Sequence, residues 1–165
     1  LIEIWGAEKQ ILGAGADRFT GAEYREVVIG AGGNDELRGA RGADLIQGGQ
    51  DDDLVFGGPG RDELYGGSGN DFITGGNGHD VLKGGSGNDR MRGGFGGDLF
   101  ILSSDSNIIE DFRLEENDCI GVDSKISYGF VQNGSDLDIV TNFGVTKLWN
   151  IGLTDFDIAS RLINI

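Results

Sequence analysis

Large apolar residues recur through the first hundred positions at a spacing that belongs to neither a helix face nor an ordinary strand. Phe19, Val28, Leu37, Ile46, Val55, Leu64, Ile73, Leu82, Met91 and Phe100 stand nine residues apart. Each follows an acid by two positions: Asp17, Glu26, Asp35, Asp44, Asp53, Asp62, Asp71, Asp80, Asp89 and Asp98. A helix would show a period of about 3.6 and a half-buried strand a period of about two. One compulsory apolar residue per unit predicts a Gly-rich turn of six residues and a strand of three whose middle side chain faces inward. Two units then close one coil, and the turns stack in two rows on opposite edges of a flattened tube. Row one carries Asp17, Asp35, Asp53, Asp71 and Asp89; row two carries Glu26, Asp44, Asp62, Asp80 and Asp98.

Composition narrows the classes further. The chain has 165 residues, the size of one domain, with 32 Gly and a single Pro. Gly follows no every-third phase, which excludes collagen. Hydrophobic residues make up only 38%, short of what a close-packed globule of this length needs. No apolar run is long enough for a membrane-spanning helix. A Gly- and Asp-rich stretch is ordinarily a solvated linker, but the strict phase of acid and apolar residue argues for stacked structure. Beginning at Leu1 without a basic-then-apolar leader, the chain reads as a piece of something longer.

The clearest units are GGSGNDFIT (66–74), GGNGHDVLK (75–83) and GGSGNDRMR (84–92). They follow the pattern G-G-x-G-x-D-x-U-x, with U large and apolar, and so resemble the calcium-binding nonapeptide of the RTX (repeats-in-toxin) family. The resemblance covers about residues 12–101. It implies an all-β fold: a right-handed parallel β-roll followed by a small β-rich cap with a short helix. The expected organisation is a lead-in strand over 1–11, the roll over 12–101, and a capping and secretion-signal segment over 102–165. The resemblance also implies a bacterial protein secreted by a type I system, with an uncleaved signal near Asp157–Ile165.

The row chemistry points to the same ion. Coils about 4.8 Å apart bring like carboxylates close enough to repel, and a cation between them removes the repulsion. A hard dication taking six to eight oxygens at about 2.3–2.6 Å suits the gap, so Ca²⁺ is favoured over Mg²⁺, which demands stricter geometry. Zinc or copper would want more than the one His and one Cys present. The expected acid ligands are Asp17, Asp35, Asp44, Asp53, Asp62, Asp71, Asp80, Asp89 and Asp98. Along an extended turn, carbonyls of unit positions 1 and 3 should point to one neighbouring coil and those of positions 2 and 4 to the other. The expected glycine carbonyls are those of Gly30, Gly33, Gly39, Gly42, Gly48, Gly49, Gly57, Gly58, Gly60, Gly66, Gly67, Gly69, Gly75, Gly76, Gly78, Gly84, Gly85 and Gly87. With 28 acids against 13 basic residues the net charge is −15. About six to eight Ca²⁺ would bring it near neutrality.

Departures cluster at the start. Tyr24 replaces the fourth Gly and Glu26 the acid, Leu12 stands in a first-Gly position, Ala takes the second at Ala22, Ala31 and Ala40, and Asp51 takes a fourth. The first coil is therefore expected to bind poorly. Asp51 and Asp52 read as solvated excess, His79 as a solvent-facing turn residue, and Cys119 as a small packed hydrophobe. After Ile101, segments 106–112 and 118–122 resemble the closing segment of RTX rolls, with Asp111 and Asp118 as candidates for a last calcium site. Strands are expected over 126–131, 137–141 and 145–151, then a short helix from Thr154 towards Ser160. Phe100, Phe112, Phe130, Phe143, Trp149 and Phe156 are expected to plug the open end.

The functional expectation is a calcium-binding module that stays unfolded without the ion and folds outside the cell, serving a larger secreted protein. The alternative is recognition of an acidic polysaccharide, as by modules accompanying alginate epimerases, through Arg18, Arg38, Arg90 and Arg92 on one sheet face. Catalysis is not expected, since no H-E-x-x-H, G-x-S-x-G or triad is present. The acidic field argues against nucleic acid and anionic membranes. The chain is expected to be monomeric.

Overall fold

The structure, a computed structural model, describes residues 9–103, 105–122, 127–133, 135–142, 144–149 and 161–165. It is an all-β solenoid of two facing sheets. In chain order the strands are β1 Lys9–Ile11, β2 Arg18–Thr20, β3 Val27–Gly32, β4 Glu36–Arg38, β5 Leu45–Gln50, β6 Leu54–Gly60, β7 Glu63–Ser68, β8 Phe72–Gly78 and β9 Val81–Ser86. They continue as β10 Arg90–Phe95, β11 Leu99–Ile101, β12 Ile108–Ile109, β13 Cys119–Val122, β14 Tyr128–Asn133, β15 Asp136–Thr141, β16 Val145–Leu148 and β17 Leu162–Asn164. One sheet runs β1-β3-β5-β7-β9-β11-β13-β17, and the other runs β2-β4-β6-β8-β10-β12-β16-β15-β14.

Alternation of consecutive strands between the sheets follows from the nine-residue unit. Parallel partners in the roll are two units apart, as in Val27↔Leu45, Leu64↔Leu82 and Phe56↔Thr74. One apolar residue per strand points inward. Val28, Ile46, Leu64, Leu82 and Phe100 face Leu37, Val55, Ile73 and Met91 in a fully buried column. This narrow core is what a chain of low apolar content can fill.

Several strands exceed the three residues expected. β5 and β7, for example, run on through the first glycines of the turn, with Gly49 paired to Gly67. The glycine pairs are thus part of the parallel ladder, and the turn proper is shorter.

Past Ile101 the coil continues with altered spacing. β12 pairs with β10 at Arg90↔Ile108, still two units on, but β13 pairs with β11 at Leu99↔Cys119, where two extra residues intervene. β14, β15 and β16 form an antiparallel meander that joins the sheet through β16 against β12. Ile109, Phe112, Ile120, Val122, Leu137, Ile139 and Leu148 continue the core. Phe130 packs only partly, and Trp149 lies at the surface, so aliphatic residues do much of the plugging expected of aromatics. The expected helix, Phe143 and Phe156 lie outside the described residues. Among the described residues no helix is long and apolar enough to cross a membrane.

Candidate metal rows along the turns

Each acid sits one residue before a strand, so the ladder carries the carboxylates into two straight rows. Row one precedes the strands of the β2 sheet and row two those of the β1 sheet. From coil to coil the carboxylates form a chain. The backbone N–H of Asp35 donates to Asp53 Oδ1 at 2.8 Å, that of Asp53 to Asp71 at 2.9 Å, and that of Asp71 to Asp89 at 3.0 Å. Row two repeats this from Glu26 through Asp44, Asp62, Asp80 and Asp98 to Asp118.

The second oxygen of each carboxylate has no donor. Oδ2 of Asp35, Asp44, Asp53, Asp62, Asp71, Asp80, Asp89 and Asp98 is buried without a hydrogen bond, as is Oε2 of Glu26. A buried carboxylate oxygen left unpaired is costly, and a row of them has the chemistry that a cation would satisfy. Burial first, and then the neighbouring acids of the row, push the Asp71 carboxyl up to about 7. The same causes raise Asp53, Asp62, Asp80 and Asp98 to about 6.

Backbone carbonyls complete the gaps. A Cβ on Gly66, at unit position 1, would run into Asp71 Oδ2 and stand 2.7 Å from Gly84 O, so that carbonyl reaches back towards the preceding coil. At position 2, Gly67 has φ +126°, a conformation other residues rarely adopt, and Gly49 O of the preceding coil points forward at it. Position 3 points back, with Pro59 O accepting from Gly42 N–H at 3.1 Å and Ser86 O from Gly69 N–H at 2.9 Å. Position 4 points forward, as Gly42 O does towards Gly60. Each gap therefore presents carboxylate and carbonyl oxygens only, a donor set that fits a hard dication. Among the described residues no three His, Cys, Asp or Glu side chains converge, because backbone carbonyls supply much of the oxygen.

The ends differ from the middle. Asp17 Oδ2 accepts from Gly13 N–H of its own turn at 3.0 Å, whereas Glu26, left out of the expected ligands, keeps a buried orphan oxygen like the later acids. Its other oxygen accepts from Ala22 N–H at 2.9 Å, the same turn-closing bond that Asp17 makes to Gly13. Asn107 ends row one, its Oδ1 accepting from Asp89 N–H. Both oxygens of Asp118 have protein donors, Asp98 N–H and Arg113 N–H. Asp111 lies not in the acid row but two units after Gly93, where it accepts from the N–H groups of Gly93 and Gly94. The place of Glu26 in the nine-residue phase is its signal in the sequence, against the misfit turn with Tyr24 that makes the first coil read as poorly binding.

Asp51 and Asp52 stay outside the rows and cap exposed turns, accepting from Gly33 N–H and Asn70 N–H. His79 Nδ1 lies 2.9 Å from Gly97 N, at the surface. Cys119 is half-buried, its Sγ 3.5 Å from Asn117 O. Arg18, Arg38, Arg90 and Arg92 do share one sheet face, but the first two pair with Glu36 and the others with Glu110. Phe56 and Phe72 lie between these groups, 6.2 Å apart, with Arg38 over Phe56.

No curated protein sequence matches the chain. Among solved structures, the extracellular lipase LipA from Serratia marcescens matches with a TM-score of 0.51 and 16% identity, over 97% of this chain and 40% of the lipase. The likeness is one of fold, and this chain spans well under half the lipase. The AlgE6R3 subunit of the Azotobacter vinelandii mannuronan C5-epimerase matches with a TM-score of 0.32 and 20% identity, over 96% of this chain and 84% of that one. The family model of the RTX calcium-binding nonapeptide repeat, in four copies, matches residues 29–64 and again 65–100. Residues 29–100 thus carry RTX calcium-binding nonapeptide repeats, folded as a parallel β-solenoid.

Proposed function

We propose that the turns of this roll hold calcium between successive coils and that the segment folds as it does so, serving the secretion and stability of a larger secreted bacterial protein. The observation that carries this reading is the double row of buried carboxylate oxygens without donors, those from Glu26 to Asp80 each beside a glycine carbonyl of the next coil. The gaps proposed as full sites are Asp35/Asp53, Asp53/Asp71 and Asp71/Asp89 in row one. In row two they are Glu26/Asp44, Asp44/Asp62, Asp62/Asp80 and Asp80/Asp98. That count, about seven, lies within what the charge balance asks for. Asp17 is proposed as a weaker contributor, since its carboxylate is engaged with Gly13.

Calcium, when bound, supplies the positive charge that the rows lack. The chain's residues do the rest. The Asp Oδ1 ladder fixes each carboxylate so that Oδ2 faces the gap, and the absent Cβ at position 1 keeps that gap open. Without the ion, the repelling rows and the thin core leave little to offset chain entropy. Binding only in the folded form makes binding free energy into folding free energy. Extracellular calcium modules bind at about 10⁻⁴–10⁻³ M, so such a chain stays unfolded at cytosolic calcium and folds outside. Residues 12–101 are proposed as the calcium-responsive roll and 102–165 as its cap. The role is binding rather than catalysis. The polysaccharide reading is weaker, because all four arginines on that face are already paired with acids.

The test is a calcium titration of chelator-stripped protein followed by circular dichroism. A cooperative gain of β signal with Ca²⁺, and far less with Mg²⁺, is expected. A spectrum unchanged by thorough EGTA treatment would refute coupled folding.

A further inference from the structure

Four strands stand at the ends of the two sheets, and three of them are short. β1, β2 and β17 have three residues each, and β1 and β2 carry Lys9 and Arg18. Short strands and basic residues are how native sheets keep an edge from pairing with another chain. The fourth edge has neither device. β14 has six residues, Tyr128–Asn133, and lies within the run 126–135, which holds no charged residue in a chain of net charge −15. It pairs antiparallel with β15 on one side, from Tyr128↔Thr141 to Asn133↔Asp136. Among the described residues no strand or backbone group bonds to its other side. In an antiparallel pair every second residue turns its N–H and C=O away from its partner. The outer side of β14 therefore offers donors and acceptors along about 20 Å.

The core is open along the same edge. Phe130, opposite Ile139, packs only partly against the core, and Tyr128 beside it is 43% exposed, with the ring centres 5.9 Å apart. On the other face of the strand Val131 is 49% exposed, and a Cβ on Gly129 would meet nothing within 4 Å. We infer that β14 is a dimerisation edge: two copies of the chain pair antiparallel through it about a two-fold axis, continuing one sheet across both. An antiparallel edge is complementary to itself under such an axis, and the pairing closes at two copies. Two acidic chains can meet here because β14 brings no charge of its own to the contact. The acid rows lie on the turns of the roll, and about 0.15 M salt screens their field within about 8 Å. The partner strand covers the side of Tyr128 and Phe130 that a single chain leaves open. This state differs from the monomer expected from the sequence, and it uses the cap strands alone, so the calcium reading can fail without touching it.

The test is sedimentation equilibrium of the full chain in millimolar Ca²⁺, from about 5 to about 500 µM, beside Val131→Lys and Val131→Thr. An edge of this size falls at the small end of specific interfaces, so the wild-type mass is expected to double from 17.5 kDa with a midpoint of about 10–100 µM. Val131→Lys sets a like charge into each copy's edge and is expected to weaken the dimer about tenfold or more. Val131→Thr keeps the strand uncharged and β-branched and is expected to dimerise as wild type does. Should the Lys variant not fold, amide exchange of the unaltered chain still decides. The β14 amides turned away from β15 are expected to be protected at high concentration and to exchange freely on dilution. A wild-type chain that stays monomeric throughout, leaving the edge bare or kept for a different protein, overturns the inference. So does a dimer whose β14 amides stay unprotected, or a mass that climbs past two copies.

Discussion

Asp71 accepts the backbone N–H of Asp53 through one carboxylate oxygen at 2.9 Å while its other oxygen is buried with no donor. One side chain therefore does two jobs, stitching a coil to the one before and offering an anion to the gap after. Asp71→Ala removes both, and should raise the calcium midpoint by about threefold or more. Asp17→Ala should do little, because that carboxylate closes its own turn. Equal midpoints for the two variants by circular dichroism would contradict the proposed gaps.

Asp71→Asn separates the two jobs. Asn107 already accepts the ladder N–H from Asp89 with an amide oxygen, so the stitch is expected to survive. Without calcium this variant should unfold less readily than wild type, since a repelling charge is gone; with calcium it should bind more weakly. Paired urea titrations, with and without EGTA, would show this crossing.

Acid should substitute in part for metal. The carboxyls of Asp53, Asp62, Asp71 and Asp80 lie at about 6 to 7 in the fold, against 3.8 for an unperturbed Asp, chiefly through burial. Being raised, they make the metal-free fold bind more protons than the unfolded chain. The stability this contributes is complete below about 3.8 and is lost as pH rises through about 6 to 7. Chelated protein should therefore gain β signal on going from about pH 8 to about pH 5, and lose it on return. A flat profile would mean that the rows are not what opposes folding.

Glycines of one unit should differ in their tolerance of a methyl group. At position 2, Gly76 has φ +124°, and a Cβ there would stand 2.2 Å from Gly58 O of the preceding coil. At position 1, a Cβ on Gly75 would stand 2.5 Å from Asp80 Oδ2 and 2.6 Å from Gly93 O. Both substitutions should destabilise the calcium-saturated fold by about 1–3 kcal/mol. Gly75→Ala should in addition raise the calcium midpoint, because it displaces a row carboxylate, and Gly76→Ala should not. Chemical denaturation and calcium titration of the two variants check the difference.

Ending the chain after Ile101 would strip the acceptors of Gly85, Gly87 and Asp89 in row one and of Gly93, Gly94 and Asp98 in row two. It would also uncover Phe100 by removing Phe112 and Ile120. Residues 1–101 should then respond to calcium weakly, without cooperativity, or aggregate through open strand edges. The same midpoint and cooperativity as the full chain would exclude a capping role for the tail.

The roll was legible because its register and its chemistry share one period. A shift of a single residue would turn Phe72 or Thr74 into the column and expose Ile73, so the phase admits one solution. Where the period lapses, so did the reading. Nothing periodic announces that two extra residues separate Asp98 from Asp118, or that β16 reaches β12 from far along the chain. Glu26 sits in a misfit turn, with Tyr24 in place of a glycine, yet keeps a buried carboxylate oxygen without a donor like the later acids.

The carboxylate stitching has a direction: every coil sends an N–H forward and receives one on its carboxylate from behind. A stack built this way is a short polymer with a growing end, and identical chains would add to that end if its donors were left open. Asn107 and Asp118 occupy those donors, on Asp89 and Asp98. They act as chain terminators, fixing the number of layers and keeping a sticky repeat from becoming a fibre.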